Sequence, residues 1–158
     1  MAILIAVILT YSSISPEAKK TTLRLKTPKS ANNAHAPERQ YIQADSILSA
    51  EIGSRIGFSG FDKPYNSKKE TFLISNNSDH HLAGIALRIE YFDSQQRMIH
   101  ARLEEIIRSI PAGETRFISI PAFDPQSTLY YHLSKAPRKG GGQPFHVKIT
   151  PTAILLPK

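Results

Sequence analysis

The stretch Gly84-Ile85-Ala86-Leu87-Arg88-Ile89-Glu90-Tyr91-Phe92-Asp93 carries the reading of the fold. Ile85, Leu87, Ile89 and Tyr91 recur at every second position, with Arg88 and Glu90 between them. Successive side chains of a strand point to opposite faces. The spacing therefore predicts an extended segment with an apolar face turned inward and a charged face turned to water. Asn76-Asn77-Ser78-Asp79 precedes it and Asp93-Ser94-Gln95-Gln96 follows it. Asn and Asp bond their own backbone and tolerate left-handed conformations, so both ends read as turns.

Outward from this strand the pattern repeats. Thr71–Ser75 reads as a strand with Phe72 and Ile74 on one face, and Arg116–Ile120 as another. Leu129, Tyr131 and Leu133 mark a penultimate strand, and Phe145, Val147 and Ile149 a last one. Gly140-Gly141-Gly142, within Arg138–Pro144, reads as a flexible hairpin loop joining these two. The run from Ile47 to Phe58, broken by Gly53 and Gly57, is taken as the first strand. Met98–Ile110 stays open between two readings. Ile99, Leu103, Ile106, Ile107 and Ile110 fit a helical face. The turn before it and Pro111-Ala112-Gly113-Glu114 after it favour a strand, with a bulge where Glu105 falls on the apolar side. Short alternating runs between turn signals predict an all-β fold, a seven-stranded immunoglobulin-like antiparallel β-sandwich over residues 47–158.

The first 46 residues differ. Ala2–Leu9 is an unbroken apolar run, too short for a span of about 20 residues. It matches a signal-peptide core or a truncated membrane segment, assigned to residues 1–15, with Ser13-Ile14-Ser15 near a cleavage point. Residues 16–46 contain Pro16, Pro28 and Pro37 and few large apolar side chains, which predicts a flexible basic tether. The net charge of +7 is spread thinly. Between Tyr11 and Ser46 lie Lys19, Lys20, Arg24, Lys26, Lys29 and Arg39 against Glu17, Glu38 and Asp45. Such a tether suits peripheral contact with an anionic membrane, whereas a mixed charge on the remainder argues against nucleic acid. The chain has no Cys, which removes disulfides, thiol catalysis and thiolate metal sites.

Asn76-Asn77-Ser78-Asp79, the stretch Gly84–Asp93 and Ile110-Pro111-Ala112-Gly113-Glu114 together resemble the FxLYD-type domains of bacterial cell-envelope proteins. Gly60-Phe61-Asp62-Lys63-Pro64, Glu70-Thr71-Phe72 and the Tyr130-Tyr131 region resemble small exported proteins of Bacteroidetes. The resemblance covers residues 55 to 156. It implies a β-sandwich on the cell envelope and no particular activity.

Gly57-Phe58-Ser59-Gly60 is one residue short of a nucleophile elbow and lies between strands, so Ser59 reads as a strand end. Adjacent His80 and His81, beside Asp79, point apart on an extended chain and cannot easily grip one ion, even with Asp93 or His100 nearby. His100, His132 and His146 are expected to face outward from strands. Asp93 with Glu104 and Glu105 shows no spacing that marks an acid–base pair. Arg138-Lys139-Gly140-Gly141-Gly142 lacks the Lys-Ser or Lys-Thr of a phosphate loop. Phe58, Phe61, Tyr65, Phe92, Phe123, Tyr130 and Tyr131 are expected mostly in the core, with Tyr130 or Tyr131 as a tyrosine corner. No catalytic, cofactor-binding or metal residue is therefore assigned, and no cofactor is expected.

The expectation is a non-enzymatic module, exported to the periplasm or cell envelope, that binds another protein or a surface polymer. The alternatives are a hydrolase whose site assembles only in three dimensions, and nucleic-acid or anionic-surface binding through the tether.

Overall fold

Alternating strands need a second apolar face to cover their own, and the chain provides it with two sheets. A computed structural model describes residues 40–138 and 140–158. The elements are β1 (Tyr41–Gln43), α1 (Ser46–Ser54), β2 (Ile56–Asp62), β3 (Lys69–Asn76), β4 (Gly84–Asp93), β5 (Met98–Ile106), β6 (Thr115–Pro121), β7 (Leu129–Tyr131) and β8 (Gln143–Pro157). One sheet runs β1-β8-β4-β5, with β7 beside β8, and the other β2-β3-β6. Ile85, Leu87, Ile89 and Tyr91 of β4 are fully buried, as are Phe72 and Ile74 of β3. With Ile118, Ile120, Phe145 and Ile154 they form the core between the sheets. The all-β class is as expected.

Four local expectations are corrected. The run at Ile47–Phe58 is not one strand: its first half is helix α1. Asp45 caps that helix, accepting from the Leu48 amide at 2.8 Å, and Ile52 is buried one turn later. Within the segment expected to be tether up to residue 46, Tyr41–Gln43 form β1, which pairs antiparallel with Leu155–Pro157, and Ala44 is buried. The signal segment (1–15) and the rest of the tether, to residue 39, lie outside the described residues.

Met98–Ile106 is a strand, with the register shift at Ile99, between the Tyr91–His100 and Phe92–Met98 pairs, and not at Glu105. Its Ala101, Leu103 and Glu105 lie opposite Glu90, Arg88 and Ala86, on the outer face of the sheet. The apolar residues that suggested a helix therefore include solvent-facing ones.

The Arg138–Pro144 segment is no hairpin, since β7 and β8 pair parallel, Leu129 with Gln143 and Tyr131 with Phe145. Gly142 has φ +86°, and a Cβ there would sit 2.7 Å from the Tyr65 ring. This glycine packs closely against an aromatic side chain in a left-handed conformation. Among the described residues there are eight strands, two of them only three residues long, where seven were expected. Among the described residues no helix is long and apolar enough to cross a membrane.

Candidate functional site

Two features qualify as candidate sites, a buried polar cluster and an apolar groove. The cluster begins with parity. Glu70 stands on β3 in phase with Phe72 and Ile74, so the same pleat that buries them buries its carboxylate. A buried charge is tolerated only when paired and hydrogen-bonded. Oε2 of Glu70 accepts from the Tyr91 hydroxyl at 2.7 Å and from the Arg102 guanidinium at 3.1 Å, and Oε1 accepts from the Phe123 amide at 2.7 Å. Arg102 also donates to the Pro121 carbonyl at 2.9 Å and pairs with Glu104 at 3.2 Å. The Tyr91 ring lies under Phe123 with centroids 3.9 Å apart, and His100 stacks on Phe123 at 5.4 Å.

Burial pushes the Glu70 carboxyl above its ordinary value, against the bonds from Tyr91 and Phe123 and the nearby Arg102 and Lys63 charges. Burial, with the Glu70 carboxylate beside it, also pushes the Tyr91 phenol up, so it stays protonated and donates. Every oxygen of Glu70 is engaged and the residue is fully buried. A general acid or base must reach the proton it moves. Glu70 reaches only its own structural partners, so the cluster joins the sheets.

Beside it, Lys63 is fully buried, its Nζ 2.8 Å from Asp124 Oδ1 and donating to the Leu129 carbonyl. Asp124 Oδ2 accepts from the Leu129 amide at 2.7 Å, and the Lys63 carbonyl from the Tyr131 amide at 2.9 Å. These contacts pin the β2–β3 connection to the segment leading into β7. At the opposite end, buried Asn76 donates to the carbonyls of His80 (2.8 Å), Ile110 (2.9 Å) and Pro111 (3.2 Å). The turn after β3 and the Pro-Ala-Gly-Glu turn are thus held by one side chain.

The groove, of about 350 Å³, lies between β2 and β8. Phe58, Ser59 and Phe61 of β2 form one wall, Val147 and Ile149 of β8 the other, with Phe72 and Tyr131 also lining it. Gly60, at φ +60°, occupies the irregularity in β2 between Ser59 and Asp62. On the groove side β8 pairs with β7 through Phe145 and with β1 from Leu155. Between them α1 lies against Pro151, 3.4 Å from a Cβ built on Gly53. Among the described residues His146–Thr150 therefore have a strand partner only in β4.

The residues singled out from the sequence are scattered. Ser59 is exposed at the groove rim, and among the described residues no His or carboxylate lines that groove. His80 lies 3.6 Å from Asp79, whereas His81 turns to the Ser109 hydroxyl at 2.9 Å. Among the described residues no three His, Cys, Asp or Glu side chains are grouped to hold a metal. His132 and His146 stack with ring centroids 4.0 Å apart. His100 is exposed, although it lies opposite Tyr91, on the face turned to the second sheet, and stacks on Phe123.

Asp93 sits in the β4–β5 turn, bonded to the amides of Gln95 and Arg97 and to the Arg97 side chain. Glu104 and Glu105 are on opposite faces of β5, the latter accepting from the Tyr41 hydroxyl at 3.2 Å. Of the aromatics expected in the core, all seven are half-buried. Phe72, Tyr91 and Phe145 are the fully buried rings, and Tyr91 is the tyrosine whose hydroxyl is bonded inside. Reading by residue chemistry missed Glu70, Lys63, Arg102 and Asp124. A signal existed for Glu70, an acid in phase with Phe72 and Ile74. Lys63 and Asp124 lie in loops and left none.

No family model, curated protein or solved structure matches the chain.

Proposed function

We propose that the chain is a non-catalytic binding module of the cell envelope, an FxLYD-type sandwich of immunoglobulin-like kind that receives an extended apolar segment of a partner protein between β2 and β8. The observation that carries this reading is the unpaired side of β8 over His146–Thr150, next to the inward side chains Val147 and Ile149. Such an edge offers backbone donors and acceptors to an added strand, and the pockets beside it select alternate apolar side chains. Exposed edges are ordinarily protected, so one opening on an apolar groove calls for a partner. The non-catalytic part rests on Glu70, whose two carboxylate oxygens are both bonded inside the fold.

The test is selection of peptides from a displayed random library on the full chain. Enriched peptides should alternate apolar residues, bind the Phe117→Lys control normally and lose binding to Ile149→Lys. Phe117 is exposed on the outer face of β6 and does not line the groove, so its replacement leaves the groove intact. No enrichment, or peptides indifferent to Ile149→Lys, would count against the groove, and binding to a glycan array that Ile149→Lys abolishes would reassign it to a surface polymer. The envelope part is tested separately, by fusing residues 1–20 to a reporter active only outside the cytoplasm. A silent reporter removes that part.

A further inference from the structure

The outer edge of β5 is the second unpaired strand edge of this sheet, on the side away from the groove. It is nine residues long, and among the described residues it pairs only with β4. Leu103, next to its middle, is 72% exposed, and Ile99 near its start and Ile107 just past its end are exposed. Edges are commonly protected by charges pointing inward, and β5 has them in Arg102 and Glu104, each opposite a buried β4 residue. These two charges have opposite sign and stand two positions apart. Within one chain they already pair at 3.2 Å, and in an antiparallel pair of identical strands each also meets the opposite charge of the other copy.

We propose that β5 pairs antiparallel with β5 of a second copy of this chain, about a two-fold axis at Leu103, making one continuous sheet. The register follows from the side chains. Directly opposed residues of an antiparallel ladder lie on the same face, so the axis must pass through a residue. With the axis at Leu103, Arg102 meets Glu104 twice, Ala101 meets Glu105 twice, and Leu103 meets its own copy. The ladder then runs from His100, opposite Ile106, to Ile106, short of the irregularity at Ile99. Moving the axis to Arg102 or to Glu104 sets like charges opposite each other, which destabilises the ladder. A self-complementary patch is what a two-fold interface requires.

The chain has no Cys, so a single introduced thiol reports one position. Opposed Cβ atoms in such a ladder are about 4.5–5.5 Å apart, close enough for mild oxidation to join them. Leu103→Cys in the full chain should cross-link to itself in high yield. Ala101→Cys should not, because its two copies are offset by four residues, about 13 Å along the strand. An equimolar mixture of Ala101→Cys and Glu105→Cys should give the mixed dimer. Wild type should sediment as a dimer and Leu103→Asp, which sets two carboxylates face to face, as a monomer with an unchanged thermal transition. A monomeric wild type, self-linking of Ala101→Cys as fast as of Leu103→Cys, or a dimer that Leu103→Asp leaves intact would each overturn the proposal.

Discussion

β4 and β5 are hydrogen-bonded neighbours, opposed residue by residue from Ile85–Ile106 to Phe92–Met98, yet they are held to the second sheet by different means. The inward row of β4 is Ile85, Leu87, Ile89 and Tyr91, all fully buried. The inward row of β5 is His100, Arg102, Glu104 and Ile106, of which only Ile106 is buried. β4 is central and covered, so apolar burial places it. β5 is at the edge, where the covering sheet runs out, and one guanidinium reaching Glu70 and the Pro121 carbonyl does the work of a row of apolar contacts. Alternation thus identifies a strand's two faces, but which face is interior depends on where in the sheet the strand lies.

The largest effects that would break this contrast are at β4. Leu87→Ala or Ile89→Ala should cost about 2–5 kcal/mol, the penalty for emptying a buried aliphatic site. Arg88→Ala should cost about 0.5 kcal/mol or less, since its ion pair with Glu90 is at the surface. Leu103→Ala, an equally apolar residue on the neighbouring strand, should also cost about 0.5 kcal/mol or less. Denaturant melts of the four variants check this, at dilutions where self-association contributes nothing to stability. A loss at Leu103 matching that at Leu87 would mean that the outer face of β5 is covered within one chain.

The same contrast explains which elements are legible in the sequence. β3, β4 and β6 lie between partners or face the opposite sheet along their length, so their apolar periodicity marked both element and face. The double meaning of Met98–Ile110 came from mixing outward Leu103 with inward Ile106, two residues that a strand separates and a helix would place on one side. α1 was hidden in a run that also contains β2. Its signals were Asp45 as a cap with Leu48 and Ile52 four residues apart. The parallel pairing of β7 had no local signal, because three residues fix neither direction nor partner. The groove was equally invisible, since it depends on which part of β8 is left without a neighbour.

Arg102 provides the intermediate test. Arg102→Met keeps the stem but removes the charge that balances Glu70, leaving that carboxylate with the Tyr91 hydroxyl and the Phe123 amide. The expected loss is about 1–3 kcal/mol, the range for depriving a buried polar group of one partner, moderated because Arg102 retains some contact with water. The pH dependence separates charge from packing. The folded state raises the Glu70 titration above 4.5, so over that interval the native chain binds the proton more tightly than the unfolded chain. Stability contributed by Glu70 therefore increases as pH falls from above the folded-state titration to 4.5, and is unchanged below it. Melts of wild type against Glu70→Gln from neutral to mildly acidic pH should move in favour of wild type. A gap that moves the other way would mean that the ion pair with Arg102 outweighs the cost of burial.

The smallest expected effect is at the turn joining the two strands. Asp93 accepts from the Gln95 amide at 2.8 Å, the Arg97 amide at 3.0 Å and the Arg97 Nε at 2.8 Å, while Gln96 takes a left-handed φ of 62°. The Arg97 amide above all, with its guanidinium and the Gln95 amide, holds the Asp93 carboxyl below its ordinary value of 3.8. A lowered titration stabilises the fold above 3.8, and that contribution disappears as pH falls through the folded-state value. Asp93→Asn keeps an oxygen for the amides but loses the charge, so a small loss at neutral pH should shrink below 3.8 and then vanish. Because the Asp93 carboxylate bonds to Gln95 and Arg97 within the turn, the variant should also leave the Ile85–Ile106 end of the ladder unchanged in amide exchange while loosening the Phe92–Met98 end. Loosening along the whole ladder would place the register in this turn instead of in the Glu70–Arg102 contact.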